Sequence, residues 1–343
     1  MTFPNRAWVA PMCQYSSVDG HPTDWHLVHL GSMARGGAGL VITEATAVTA
    51  EGRISPDDAG IWTDAQAADY RRITDFIRSQ HSVPGIQLAH AGRKASTYAP
   101  WRGKGSVPPA EGGWPTVAPS AVGYDGFAKP RELPVDELAG LVSDWAAAAA
   151  RAVTAGLEVI EIPAAHGYLL HQFLSPLSNL RTDGYGGDLA GRARLLLEVV
   201  DAVRDTVPKH TPLFVRVSAS DWEPGGLSVE DVAEVATELG QHGVDLVDVS
   251  SGGNSAAQQI PIGPGYQVPF ARTIREHAGI PVGAVGLITE PQQAEKILAE
   301  QSADAVLLAR ALLREPSWPQ RAALELGADL AWPPQYDRGR PRS

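Results

Sequence analysis

The sequence predicts a (β/α)8 barrel, and three observations predict it. Eight short β-rich runs alternate with longer helical patterns over nearly all of the 343 residues. The runs are almost continuously apolar, which marks strands buried on both faces, as in parallel sheets. No run is followed by the glycine-rich turn of a doubly wound dinucleotide fold, the other arrangement this alternation allows. With 44% hydrophobic and 20% charged residues the chain has the composition of a globular protein with a large core. No linker interrupts the alternation, so a single barrel domain over residues 1–343 with a C-terminal tail is expected.

The predicted strands are RAWVAP (Arg6 to Pro11), GLVITEA (Gly39 to Ala45), PGIQLAH (Pro84 to His90), LEVIEI (Leu157 to Ile162), LFVRVSA (Leu213 to Ala219), DLVDVSS (Asp245 to Ser251), PVGAVG (Pro281 to Gly286) and DAVLLAR (Asp304 to Arg310). Pro163 is expected to end the fourth, because proline lacks the amide donor a ladder needs. Helical patterns fill the intervals: DAQAADYRRITDFIRSQH after strand two, PVDELAGLVSDWAAAAARAVTAG before strand four, and SVEDVAEVATELGQHG before strand six, with Ser228 as N-cap. GGAGL (Gly36 to Leu40) precedes a strand, so its glycines read as a helix C-cap and an αβ turn. One connection departs from this economy. From Arg93 to Leu133 the chain is rich in Gly, Pro and Trp, and it leaves the C-terminal end of strand three, so it reads as a lid.

A formal charge of −11 disfavours a phosphate-neutralising surface, and nucleic acid is not an expected partner. The single cysteine, Cys13, excludes an internal disulfide framework and fits a reducing compartment. No apolar run approaches membrane-spanning length and MTFPNRAWVAPM lacks an export signal, so a cytoplasmic protein without membrane attachment is expected.

Barrel chemistry is carried at the C-terminal ends of strands. Read off in order, the residues there are Cys13 with Tyr15, Glu44 with Ala45, Gln87 with His90, Arg93 and Lys94, His166 with Tyr168, Arg216, Ser250 with Ser251, Gly286 and Arg310. The set has no converging His and carboxylate cluster and no His-x-His after strand one, so no metal is expected. Lys94 is reactive in a Schiff-base reading and a solvated or salt-bridged lysine in another. Gly286 and Arg310, after strands seven and eight, stand where barrels bind phosphate, which implies a phosphate-bearing cofactor; Arg310 in a structural ion pair is the alternative. Cys13 reads equally as a working thiol or an inert buried one.

The segments APMCQYSS, EATAVTAEGRI, GIQLAHAGRK, AAHGYLLHQFLSPLSNLRTDGYGG, LFVRVSASD and QYDRG occur in this order. Together they resemble the Old Yellow Enzyme family of FMN-dependent ene-reductases, in its bacterial, thermophilic-like branch, from about Asn5 to Arg338. The resemblance implies tightly bound, noncovalent FMN at the barrel mouth, NAD(P)H as electron donor, and reduction of an activated alkene. It places Ala10, Pro11, Met12 and Cys13 along the flavin, Ala45 and Gln87 at its polar edge, Arg216 where negative charge gathers in the reduced form, and Ala309 and Arg310 at the phosphate, beside the Gly286 loop. Tyr168 would be the proton donor, His166 a hydrogen-bond donor to the substrate carbonyl, Tyr15 a substrate-side hydroxyl, and Arg338 a residue lent to a neighbour in a homodimer or homotetramer. The resemblance also leads one to expect an earlier start in relatives, with a segment expected at the barrel's bottom.

One position departs from the family pattern. The family carries His-x-x-His or His-x-x-Asn at the end of strand four, and here the first of these is Pro163. Removing one oxyanion donor costs about a hundred- to a thousandfold in rate. The sequence therefore leaves open a desaturase, a reductase for a substrate needing one donor, or a flavin-binding protein with little turnover.

Overall fold

The computed structural model describes residues 1–340. Eight parallel strands close into a barrel in the order β1-β8-β7-β6-β5-β4-β3-β2, every neighbour consecutive in sequence except the closing pair β1 and β8. They are β1 (Ala7–Val9), β2 (Leu40–Ala47), β3 (Val83–Ala89), β4 (Val159–Ala164), β5 (Leu213–Ser218), β6 (Leu246–Ser250), β7 (Val282–Ala284) and β8 (Ala305–Leu308). Closure is made by β1 on β8, Ala7 opposite Val306.

Alternation along each strand separates two cores. Leu40, Val159, Phe214, Leu246 and Leu307 point inward and plug the barrel's lower half with Trp8, whose ring stacks on Phe214 at 5.7 Å. Val41, Ile160, Val215, Val247 and Val306 point outward into the larger core beneath the helices. Those helices include α1 (Asp24–Arg35), α2 (Asp64–Ser79), α3 (Val135–Thr154), α4 (Leu169–Leu174), α5 (Leu189–Thr206), α6 (Val229–Gln241), α7 (Val268–Ala278), α8 (Pro291–Ala299), α9 (Arg310–Arg314) and α10 (Trp318–Leu326). Ser228 does cap α6, accepting the Asp231 N–H, and α1 ends at Gly36. Among the described residues, no helix is long and apolar enough to cross a membrane.

Two strands differ from expectation. β2 runs two residues further, to Ala47, through a bulge between Thr43 and Ala45 that brings Ala45 opposite Gln87. β4 continues through Pro163 to Ala164, and Pro163 pairs with Arg216. The proline does not end the strand, for a geometric reason. The Ile160 N–H donates toward β5, to the Pro212 carbonyl, so with period two the amide of residue 163 faces β3. Pairing with β3 has already ended at Gln87 and Glu161, so no ladder bond is forfeited.

The connection from β3 to α3 contains two short 3-10 turns and a two-stranded parallel pair, Val117–Ala118 with Arg131–Glu132. It leans on the loop after β2: the Thr97 N–H donates to the Ile54 carbonyl at 2.8 Å and Trp114 Nε1 to the Glu51 carbonyl at 2.9 Å. The C-terminal tail lies at the opposite end of the barrel. Tyr336 packs under the Arg35 guanidinium and bonds it at the last residue of α1, and Arg340 reaches Asp329.

Candidate active site

The site is built at the C-terminal mouth, where β4 ends in a tight turn. His166 has φ +57 and Gly167 φ +72, both left-handed. A β-carbon on Gly167 would press into the Gly253 carbonyl oxygen, so glycine is required there. The turn is tied on three sides: the His166 N–H donates to Ser218 Oγ at 2.9 Å, His166 Nε2 lies 2.7 Å from Ser250 Oγ, and Lys94 Nζ donates to the His166 carbonyl at 2.9 Å. Burial first, then the charges of Arg216, His171 and Lys94, hold the His166 imidazole well below its ordinary pKa. It is neutral at neutral pH, a hydrogen-bond partner and not a reservoir of charge.

Tyr168, two residues on, packs with Cys13 and Tyr15 against Ala45, Ala89 and Ala91. Burial, then Cys13 and Tyr15, pushes its phenol well above the ordinary value, so the hydroxyl keeps its proton. Tyr15, held at φ +48, stacks edge-on against Trp101 of the long connection, with centroids 5.5 Å apart. Cys13 is half-buried, and burial, then Asp58 and Glu44, raises its thiol. It sits as a protonated thiol.

Several strand-end candidates prove to be scaffolding. Glu44, turned outward by the bulge, accepts the Gln14 N–H at 2.9 Å and pairs with His26 Nε2 at 2.9 Å. The Thr23 N–H donates to His26 Nδ1, which fixes the tautomer and clamps the segment bearing Cys13 and Tyr15. His90 is buried, and its Nδ1 accepts the Gly92 N–H. Arg93 and Lys94 are neither solvated nor salt-bridged: Arg93 bonds the Asn254 carbonyl, and Lys94 bonds the His166 and Gly253 carbonyls beneath the Tyr124 ring. Burial, then Arg93, pulls Lys94 down to about 7.

Deeper in the mouth, Arg216 on β5 is 6% exposed, its Nε 3.1 Å from Asp248 Oδ2, with no hydrogen bond from its Nη groups among the described residues. Gln87 Nε2 donates to Glu161 Oε1 at 2.7 Å, which leaves the amide carbonyl for the mouth. Sequence reasoning missed Glu161 and Asp248. The signal was a carboxylate inside each of two otherwise apolar strands, VIEI and LVDV. Across the mouth, a cavity of ≈ 180 Å³ is lined by Gly286, Ala309, Arg310 and Arg314. Gly286 has φ +122, and a β-carbon there would come 2.7 Å from Gln267 Nε2. Arg310 and Arg314 have no ion-pair partner among the described residues, which removes the structural reading of Arg310. Two guanidiniums without ion-pair partners among the described residues, beside a small cavity, together with an uncommitted amide carbonyl, fit a flat, polar-edged ring carrying a phosphate, as FMN does.

Pro163 is buried on the inward register above Glu161, so it does face the mouth. Arg338 does not reach this mouth. It is exposed on the tail at the far end of the barrel.

Residues 1–328 match the NADH:flavin oxidoreductase / NADH oxidase family. The chain is 47% identical to an NADPH dehydrogenase of Listeria welshimeri, over 98% of this chain and 96% of that one. Among solved structures, morphinone reductase in complex with tetrahydroNAD superposes with TM-score 0.79 at 29% identity, covering 98% of this chain and 90% of that chain. An old yellow enzyme homologue from Zymomonas mobilis gives TM-score 0.78 at 26% identity over 100% and 98%. The chain therefore belongs to the NADH:flavin oxidoreductase / NADH oxidase family of Old Yellow Enzyme type and is an NAD(P)H-dependent FMN oxidoreductase.

Proposed function

We propose that the protein reduces the C=C bond of a small alkene conjugated to a carbonyl group. The observation that carries this reading is the convergence of the protonated Tyr168 phenol with Tyr15 and Cys13 beside a neutral His166 imidazole. FMN, when bound, takes two electrons from NAD(P)H and supplies them as hydride to the alkene. Ala10, Pro11, Met12, Cys13 and Ala45 form its wall, Gln87 and Arg216 meet its polar edge, and Gly286, Ala309 and Arg310 hold its phosphate. His166 donates to the substrate carbonyl as enolate character builds, and Tyr168 gives the proton to the adjacent carbon. Tyr15 lines the substrate side, with Trp101 and the long connection closing over it as a lid. Arg338 serves the site of a second copy in a homodimer or homotetramer.

The test separates the two half-reactions. FMN-loaded protein is reduced with NADPH without oxygen and then mixed with 2-cyclohexenone in a stopped-flow instrument. Tyr168→Phe should slow reoxidation by about a hundredfold or more and leave reduction by NADPH nearly intact. Equal loss in both steps would assign Tyr168 to structure and defeat the reading. Pro163 favours a second reading, a substrate needing one donor or the reverse desaturation. Normal reduction by NADPH with no reoxidation by cyclohexenone would select it.

A further inference from the structure

One layer above the apolar plug, four consecutive strands each turn a polar side chain into the barrel: Gln87 from β3, Glu161 from β4, Arg216 from β5 and Asp248 from β6. Gln87 pairs in register with Glu161, and Arg216 with Asp248. Glu161 and Asp248 are both 0% exposed. Two carboxyls thus share one guanidinium in a space closed from below by Trp8 and Phe214. Their engagements differ. Asp248 Oδ2 stands 3.1 Å from Arg216 Nε, an ion pair without hydrogen-bond geometry, whereas Glu161 has no ion pair among the described residues, uses one oxygen on the Gln87 amide and leaves Oε2 without a hydrogen-bond partner. A second, uncompensated carboxylate in this interior is costlier than retention of a proton.

We propose that Glu161 is a positioning residue that holds one proton when FMN binds, keeping the layer uncharged and the Gln87 carbonyl turned to the ring. The inference rests on the FMN chemistry of the family and not on the identity of the alkene. Burial first, then Asp248, drives the Glu161 carboxyl upward, against weaker pulls from Arg216 and Gln87. The facing groups are few: Gln87 from β3, Arg216 from β5, Asp248 from β6, and the neutral His166 above. Loss of the proton sets a negative charge under the ring edge that must itself become negative in the reduced form. FMN affinity is then full below the raised carboxyl pKa and falls as pH rises through it.

The experiment measures the dissociation constant of FMN by fluorescence quenching on apoprotein between pH 6.5 and 9, together with the infrared carboxylic-acid band of the apoprotein at neutral pH. The wild type should weaken by about tenfold across the alkaline limb and show a protonated-carboxyl band. Glu161→Gln should lack both the alkaline weakening and the band. Asp248→Asn hands the guanidinium to Glu161, which ionises, so band and alkaline weakening should vanish there also. Because burial pushes the Asp58 carboxyl up as well, to about 7, the band is read as the difference between wild type and variant. A Glu161→Gln profile parallel to the wild type, or a difference spectrum in which either substitution removes no carboxylic-acid band, would overturn the proposal. The infrared comparison needs no turnover, so a failed alkene assignment leaves it intact.

Discussion

Where the family pattern has two hydrogen-bonding side chains at the end of this strand, His166 alone keeps that capacity and Pro163 has none. The proline keeps β4 intact because its missing amide faces a side where pairing has ended. Its ring presents only carbon to the mouth. If the lost donor limits enolate stabilisation, Pro163→His should accelerate reoxidation by cyclohexenone by roughly ten- to a thousandfold, without changing reduction by NADPH. A wild type that already turns over cyclohexenone rapidly, with no gain in the variant, would show that Ser250, His166 and the tyrosines suffice. Position 163 tolerates histidine sterically at the backbone, since φ in a strand suits any residue.

At the scale of elements, the left-handed turn after β4 is what holds His166 and Tyr168 at fixed aim. Gly167→Ala should cost about 1–3 kcal/mol, read by denaturant unfolding, and should slow reoxidation more than reduction, because the turn carries the substrate-side groups. Unchanged stability and unchanged kinetics would refute the role given to the turn. The turn also measures how far sequence reading reaches. The eight strands were legible because both-face burial writes apolar residues without a break, and His166 and Tyr168 were legible because chemistry-bearing residues follow such a run. The extension of β4 past Pro163 was not, since it depends on where the neighbouring strand stops pairing. Nor was the buried quartet around Glu161, because a single charge in a strand does not say which charge faces it. The bonds that hold Lys94 were not legible for a related reason: the carbonyls it reaches belong to Gly253 and His166, far along the chain.

For the whole molecule, the decisive fact is that the tail and the mouth lie at opposite ends. Arg338 cannot serve its own barrel from the position it occupies, so any catalytic use of it requires a second copy. An isologous pair would let each chain complete the other. Arg338→Ala should then slow substrate turnover while sparing FMN binding, and light scattering of the wild type should report an assembly larger than one chain. A monomer with full activity would sink this. The aromatic plug of Phe3, Trp8 and Phe214 has its own consequence at this scale. It makes the barrel a flask with one neck, and FMN is its stopper. Protons and solvent reach the inner carboxyls by the same opening that the cofactor fills, so the charge state set at the moment of loading is the one the working enzyme inherits.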